Sequence, residues 1–235
     1  MTRSSQQARR LVIAASSFAD AEAALPLIVP LLDLMPARLA GLLAGERIAD
    51  LAVTAKQQIV SSRGALLSIP SQERAHGLSQ GDARAFERAL ASAAASHATS
   101  WRFATETGEL TGTVCASVTK EDVVVLGHRP ILRQRGRVLL IGTGTDARDV
   151  AQALARAQST VVDEMQPAEG EATQDILAKV DRSHAATVVA DFSAGPLRTR
   201  EELKRLLEAA RCPVAILGAA EIRHRQDAAS DQNTP

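Results

Sequence analysis

The run Gly142-Thr143-Gly144-Thr145-Asp146-Ala147 directly follows the apolar segment Val138–Ile141 and opens an Ala-rich stretch. It fits G-x-G-x-x-A between a strand and a helix. In that context the first glycine makes a tight turn, the second lets backbone approach a pyrophosphate, and the helix N-terminus faces the anion. Asp163, about 20 residues further on, would then hold a ribose hydroxyl. Asp146 opposes this reading, because its charge stands where the pyrophosphate would lie. The plainer alternative is a strand–helix turn in which Asp146 caps the helix.

A second set of candidates lies in the basic connector 128–137, HRPILRQRGR, which carries Arg129 and Arg133. It follows Val123–Leu126 and Gly127, at the strand end where open α/β sheets receive ligands. It reads either as a solvated linker or as a phosphate contact. Ser16, Ser17 and Asp20 follow Leu11–Ala15 and could pair a nucleophile with an acid. No histidine is placed to act as base, so helix capping explains them better. Asp191 ends another apolar run and reads as a turn residue or a ligand contact. Glu201-Glu202 with Lys204-Arg205 reads as a salt-bridged solvent face. His76, His97, His128, His184 and His224 are scattered without metal-ligand spacing, so no metal is expected. Cys115 and Cys212 lack any partner motif and read as reduced, half-buried thiols.

Composition limits the partners. Lys plus Arg and Asp plus Glu both total 27, and this balance argues against binding nucleic acid or an anionic membrane by bulk charge. One Trp, four Phe and no Tyr leave no base-stacking platform. The apolar segment 23–32 contains Pro26 and Pro30 and ends at Asp33, too short to span a membrane. Leu11–Ala15 is also shorter than the apolar core of an export signal. A cytoplasmic protein without membrane insertion is the expectation.

Positioning these residues requires alternating strands and helices. Strands are expected at Leu11–Ala15, Arg38–Ala44, Trp101–Thr105, Val123–Leu126, Val138–Ile141, Thr160–Val162, Thr187–Ala190 and Val214–Leu217. Helices are expected from Asp20 to Met35 (broken by its prolines), from an Asp82 cap to His97, and at 109–118, 146–158, 171–180 and 198–210. Residues 46–81 read as irregular. Such alternation gives an α/β fold with parallel sheets covered on both faces. The stretches LVIAASSFADAEAAL (11–25) and VLLIGTGTDARDVAQAL (138–154) share one pattern and suggest a degenerate duplication.

Those two openings, the passage 86–129, and ATVVADFSAGPLRTREELKRLLEAARCPVAILG (186–218) together resemble the universal stress protein family in its tandem form. The resemblance implies two doubly wound parallel sheets, adenine nucleotide alpha hydrolase-like repeats, packed about a pseudo-twofold. It implies a flexible segment 1–9, a first domain 10–130, a second domain 137–219 and a disordered tail 220–235. ATP-binding members carry an acid ending the first strand and a glycine-rich phosphate loop after the fourth. Here Ala15-Ser16-Ser17 lacks the acid, and His128-Arg129-Pro130 follows Gly127. In the second half Pro196 follows Asp191-Phe192-Ser193-Ala194-Gly195 and removes an amide donor. The first half also lacks its own last helix and strand. The expectation is a non-catalytic, stress-related regulatory or binding protein that acts through a protein partner, as a monomer or a homodimer. It would have no cofactor beyond weak ATP or AMP. The alternative is a nucleotide-binding protein that uses Gly142, Thr143, Gly144 and Thr145, with Asp163 and Arg129 as further contacts.

Overall fold

A computed structural model of the chain describes residues 9–45, 58–60, 66–68, 72–129, 136–168 and 170–222. The N-terminal half contains β1 (Arg10–Ala15), α1 (Phe18–Ala24), α2 (Ile28–Leu34), β2 (Arg38–Gly45), β3 (Gln58–Val60), β4 (Leu66–Ser68), α3 (Gln72–Ser96), β5 (Trp101–Thr107), α4 (Leu110–Ser117) and β6 (Val123–Leu126). The C-terminal half contains β7 (Val138–Ile141), α5 (Thr145–Ala157), β8 (Val162–Met165), α6 (Thr173–Ser183), β9 (Thr187–Asp191), α7 (Arg200–Ala210) and β10 (Val214–Leu217). Among the described residues, β3 and β4 pair only with each other.

The other strands form one sheet in the order β5-β2-β1-β6-β10-β9-β7-β8. Within this sheet, every pairing inside one half is parallel. The halves meet through an antiparallel pair, β6 with β10, that sets Val214 beside Leu126 and Ile216 beside Val124. The two sheets expected from the sequence are therefore joined edge to edge into one. β10 takes the place beside β6 that the first half has no strand of its own to fill.

Alternation along the strands feeds two cores. Val12, Ala14, Val124, Val188 and Ile216 face α4, α6 and α7. Leu11, Ile13, Val125, Leu140 and Ala215 face α1, α2, α3 and α5. Strands buried on both faces read as continuous apolar runs, which is why LVIAA, VVVL, VLLI and VAIL were legible. Gly41 of β2 lies under Leu90 of α3, and a Cβ there would run into that leucine's side chain.

Some boundaries differ from the sequence expectation. α3 begins at Gln72, so the second part of the segment read as irregular is helical and Asp82 lies inside the helix. Gly77 and Gly81 each cost a helix only about 1 kcal/mol, which does not outweigh a long helix that buries Phe86 and Leu90. Pro26 falls in a 3-10 turn (Leu25–Leu27) that breaks the first helical stretch as expected. Pro30 sits in the first turn of α2, where no intrahelical donor is lost. β8 starts two residues later than expected, because this edge strand is marked by exposed Asp163 and Glu164 rather than by an apolar run. Residues 219–222 form a helical turn with Ala220 and Ile222 buried, so the packed chain reaches beyond 219. Of the expected loose ends 1–9 and 220–235, residues 1–8 and 223–235 lie outside the described residues, as do Arg133 and residues 46–57. Among the described residues, no helix is long and apolar enough to cross a membrane.

Candidate functional site

Two crevices follow from the topology. In the first half, β1 and β6 are neighbours, and α1 leaves β1 on one face of the sheet while α4 enters β6 from the other. In the second half, β7 and β9 stand in the same relation. Such switch points are where open α/β sheets bind ligands, outside the carboxyl ends of the strands. Because β6 and β10 are antiparallel, these two ends lie on opposite edges of the sheet.

This geometry separates the residues that sequence reasoning had grouped. Arg129 lies past β6 on one edge, and Gly142-Thr143-Gly144-Thr145 lie past β7 on the other. A single ligand in the second crevice cannot use both. Asp163 also leaves the group. It pairs in register with Leu139, and its carboxylate lies 3.7 Å from Arg137 at the start of β7. The residue beside Ile141, at the end facing the loop, is Met165. The ribose-acid role therefore fails on register.

The first crevice is filled by the chain itself. The Ser17 side chain caps α1 by accepting from the Asp20 amide, and its hydroxyl donates to Asp20 Oδ2 at 2.7 Å. The Phe18 amide, another free donor of that helix end, donates to Asp82 Oδ2 at 3.0 Å. Asp20 Oδ1 accepts from the Arg129 amide at 3.0 Å. A Cβ at Gly127 would stand 2.5 Å from the Asp20 carbonyl oxygen and 3.1 Å from Ala21 Cα. Backbone thus closes on backbone. Ser17 is a cap, as expected, and among the described residues no histidine bonds to it. Asp82 was read as the cap of its own helix; it serves α1 instead.

The second crevice is open. Its cleft, of about 410 Å³, lies between the loops after β7, β9 and β10 and the amino ends of β1 and β6. Asp191 is central to it and only 5% exposed. One carboxylate oxygen, Oδ1, accepts from the amides of Ser193 and Ala194 and from the Ser193 hydroxyl. The other, Oδ2, lies against Gly144, the N-cap of α5, which has no side-chain cap of its own. A Cβ on Gly144 would run into Oδ2, and one on Gly142 would stand 2.9 Å from Asp191 Cβ. Gly142 also holds φ at +123°, a region that favours glycine. Both glycines of the G-x-G run are therefore accounted for by the approach of Asp191. Thr143 and Thr145 are exposed. Asp146 does not cap α5, and its carboxylate meets Arg9 at 3.4 Å.

The far wall of the cleft is held by Arg10, whose Nε donates to Asp122 Oδ1 at 2.9 Å and whose other fork nitrogen also bonds this carboxylate. Burial pushes the Asp122 carboxyl up, but hydrogen bonds from Arg10 and the Thr119 amide outweigh it and hold the group below its ordinary range. The charges around the cleft are mostly acidic: Glu121, Asp122, Asp146, Asp191 and Glu221 against Arg9 and Lys120. Arg9 is engaged with Asp146 and Lys120 lies 3.9 Å from Glu221.

Elsewhere, Arg205 pairs with Glu201 as expected, but Lys204 pairs with Glu109. Glu202 belongs to the Thr199 capping box of α7, a signal present in the sequence as T-x-x-E and not read there. Cys115 and Cys212 are fully buried rather than half-buried, and burial pushes their thiols up to about 11 and about 12. Among the described residues, no group of three His, Cys, Asp or Glu side chains could hold a metal ion.

No family model matches the chain, and no curated protein does. Among solved structures, a universal stress protein from Archaeoglobus fulgidus DSM 4304 superposes with a TM-score of 0.41 at 10% identity. The match covers 88% of this chain and 95% of that one.

Proposed function

We propose that the chain is a non-catalytic, stress-related binding protein that acts through a protein partner and not through ATP. One observation carries this reading: a carboxylate of the chain stands at the helix N-terminus in each crevice, bonded to it in the first and packed beside its N-cap glycine in the second. Asp82 takes the Phe18 amide, and Asp191 lies against Gly144. Backbone donors at such helix ends are what phosphates bind in α/β sheets, and a resident carboxylate repels them. The stress-related class comes from the sequence resemblance alone.

A thermal-shift screen with ATP, ADP, AMP, cyclic nucleotides and NAD(H), with and without magnesium, tests it. A ligand at 100 times its Kd would add about 2.7 kcal/mol of stability. The expected result is no shift and no nucleotide carried through purification, as read by mass spectrometry. A shift lost on Gly144→Val would overturn the proposal. It would favour the second reading, a nucleotide in the loop 142–147, whose support is the volume of the adjoining cleft.

A further inference from the structure

We infer that β5 is the docking edge for a second copy of this chain, paired antiparallel about Ala104. β5 ends the sheet, and among the described residues nothing pairs with its outer side. Its hydrogen-bonding parity can be read from both ends. The Leu39 amide donates to the Ser100 carbonyl, and the Gly108 amide donates to the Gly45 carbonyl. In a parallel ladder, alternate residues bond to the same neighbour. Residues 102, 104 and 106 therefore face β2, and Trp101, Phe103, Thr105 and Thr107 turn their amides and carbonyls outward.

The side chains alternate in the opposite sense. Phe103 packs edge-on against Phe86 of α3, with ring centroids 5.4 Å apart. Arg102, Ala104 and Glu106 occupy the other face of β5, where all three are exposed. Neither Arg102 nor Glu106 has an ion-pair partner among the described residues.

A twofold axis through Ala104 sets Phe103 opposite Thr105 of the partner subunit, and Trp101 opposite Thr107 of the partner subunit. Both are pairs of outward-facing residues, so each can exchange two backbone hydrogen bonds. The same register sets Arg102 opposite Glu106 of the partner subunit, and Glu106 opposite Arg102 of the partner subunit. These are non-hydrogen-bonded pairs, in which side chains approach most closely and opposite charges attract. A parallel pairing in register would set Arg102 on Arg102. The sequence Arg-Phe-Ala-Thr-Glu is thus self-complementary in one orientation only, as an isologous interface requires. Trp101, the sole tryptophan, is 39% exposed at the end of this edge and gains a neighbour.

Light scattering on the full chain at low salt tests the inference, with Trp101 fluorescence as a second readout. The expected mass is twice that of the chain, falling towards monomer as salt screens the charge pairs. Arg102→Glu and Glu106→Arg should each weaken the dimer about tenfold or more, since two attractive pairs become repulsive. The double variant R102E/E106R should restore it, which assigns the loss in the single variants to the charge pairs. Thr105→Pro removes an outward donor only and should give a monomer. A monomeric wild type, a dimer indifferent to the charge variants, or failure of the double variant to recover would overturn the inference. So would a ladder of higher polymers, which would mean that β5 docks on β8 of the next copy.

Discussion

The two crevices are built from the same parts and closed by different means. In the first half the plug is main chain: Gly127 lies under the carbonyl of Asp20, and the α1 donors are already bonded. In the second half the plug is one side chain, Asp191, held over Gly144 with an open cleft beside it. Main chain can be displaced only by moving α1 away from the sheet. A carboxylate can be removed by a single substitution that leaves the backbone where it is. The first crevice is thus a structural joint, and the second keeps the shape of a binding site while carrying the wrong charge for a phosphate.

The sharpest way to break that comparison is to add the same methyl group to both plugs. Gly127→Ala meets three backbone atoms within 3.1 Å and should cost about 3 kcal/mol, as overpacking against an unyielding wall does. Gly144→Ala meets a carboxylate oxygen with φ at −62°, which alanine tolerates, and should cost about 1 kcal/mol. Urea denaturation of the two variants beside wild type measures the difference. Equal costs would mean that the first crevice yields as readily as the second.

The sequence made the alternating elements legible wherever a strand was buried on both faces. Leu11–Ala15 and Val138–Ile141 needed only hydrophobicity to be recognised. The edge strand β8, bearing Asp163 and Glu164, could not be placed that way. The candidate site was legible in part. The loop 142–147 does lie at a switch point, but its meaning depends on Asp191, which is distant in sequence. The pairing of Asp82 with the Phe18 amide has no local signature for the same reason. The separation of Arg129 from Gly142 rests on the antiparallel junction of β6 and β10, and strand direction is set by tertiary packing. No apolar pattern in VVVL or VAIL distinguishes a parallel neighbour from an antiparallel one.

The second crevice depends on its far wall, so acid offers a milder way to loosen it. The Asp122 carboxyl titrates below its ordinary 3.8 in the folded chain. Its contribution to stability is therefore complete above that value and is lost as pH falls through the lower folded value. Asp122→Asn should cost about 2 kcal/mol at neutral pH, because it leaves the half-buried Arg10 without its counter-charge. It should also flatten the acid limb of the stability curve below pH 4. Melting curves of wild type and variant from pH 7 to pH 3 measure the change.

The smallest expected effect tests the charge of the second plug directly. Asp191→Asn keeps an acceptor for the Ser193 and Ala194 amides and removes the negative charge beside α5. The loss of a carboxylate from that helix end should cost under about 1 kcal/mol. In exchange, inorganic phosphate or ADP should now raise the melting temperature of the variant while leaving wild type unmoved, because the α5 amides face an anion without a resident competitor. The matching change in the first crevice, Asp82→Asn, should give no such gain, since Gly127 and Asp20 still close it with main chain. If both variants gain anion binding, side-chain charge alone shut the two crevices and the backbone contact at Gly127 was incidental. If neither does, the remaining acids around the second cleft, Glu121 and Glu221 among them, are enough to exclude a phosphate on their own.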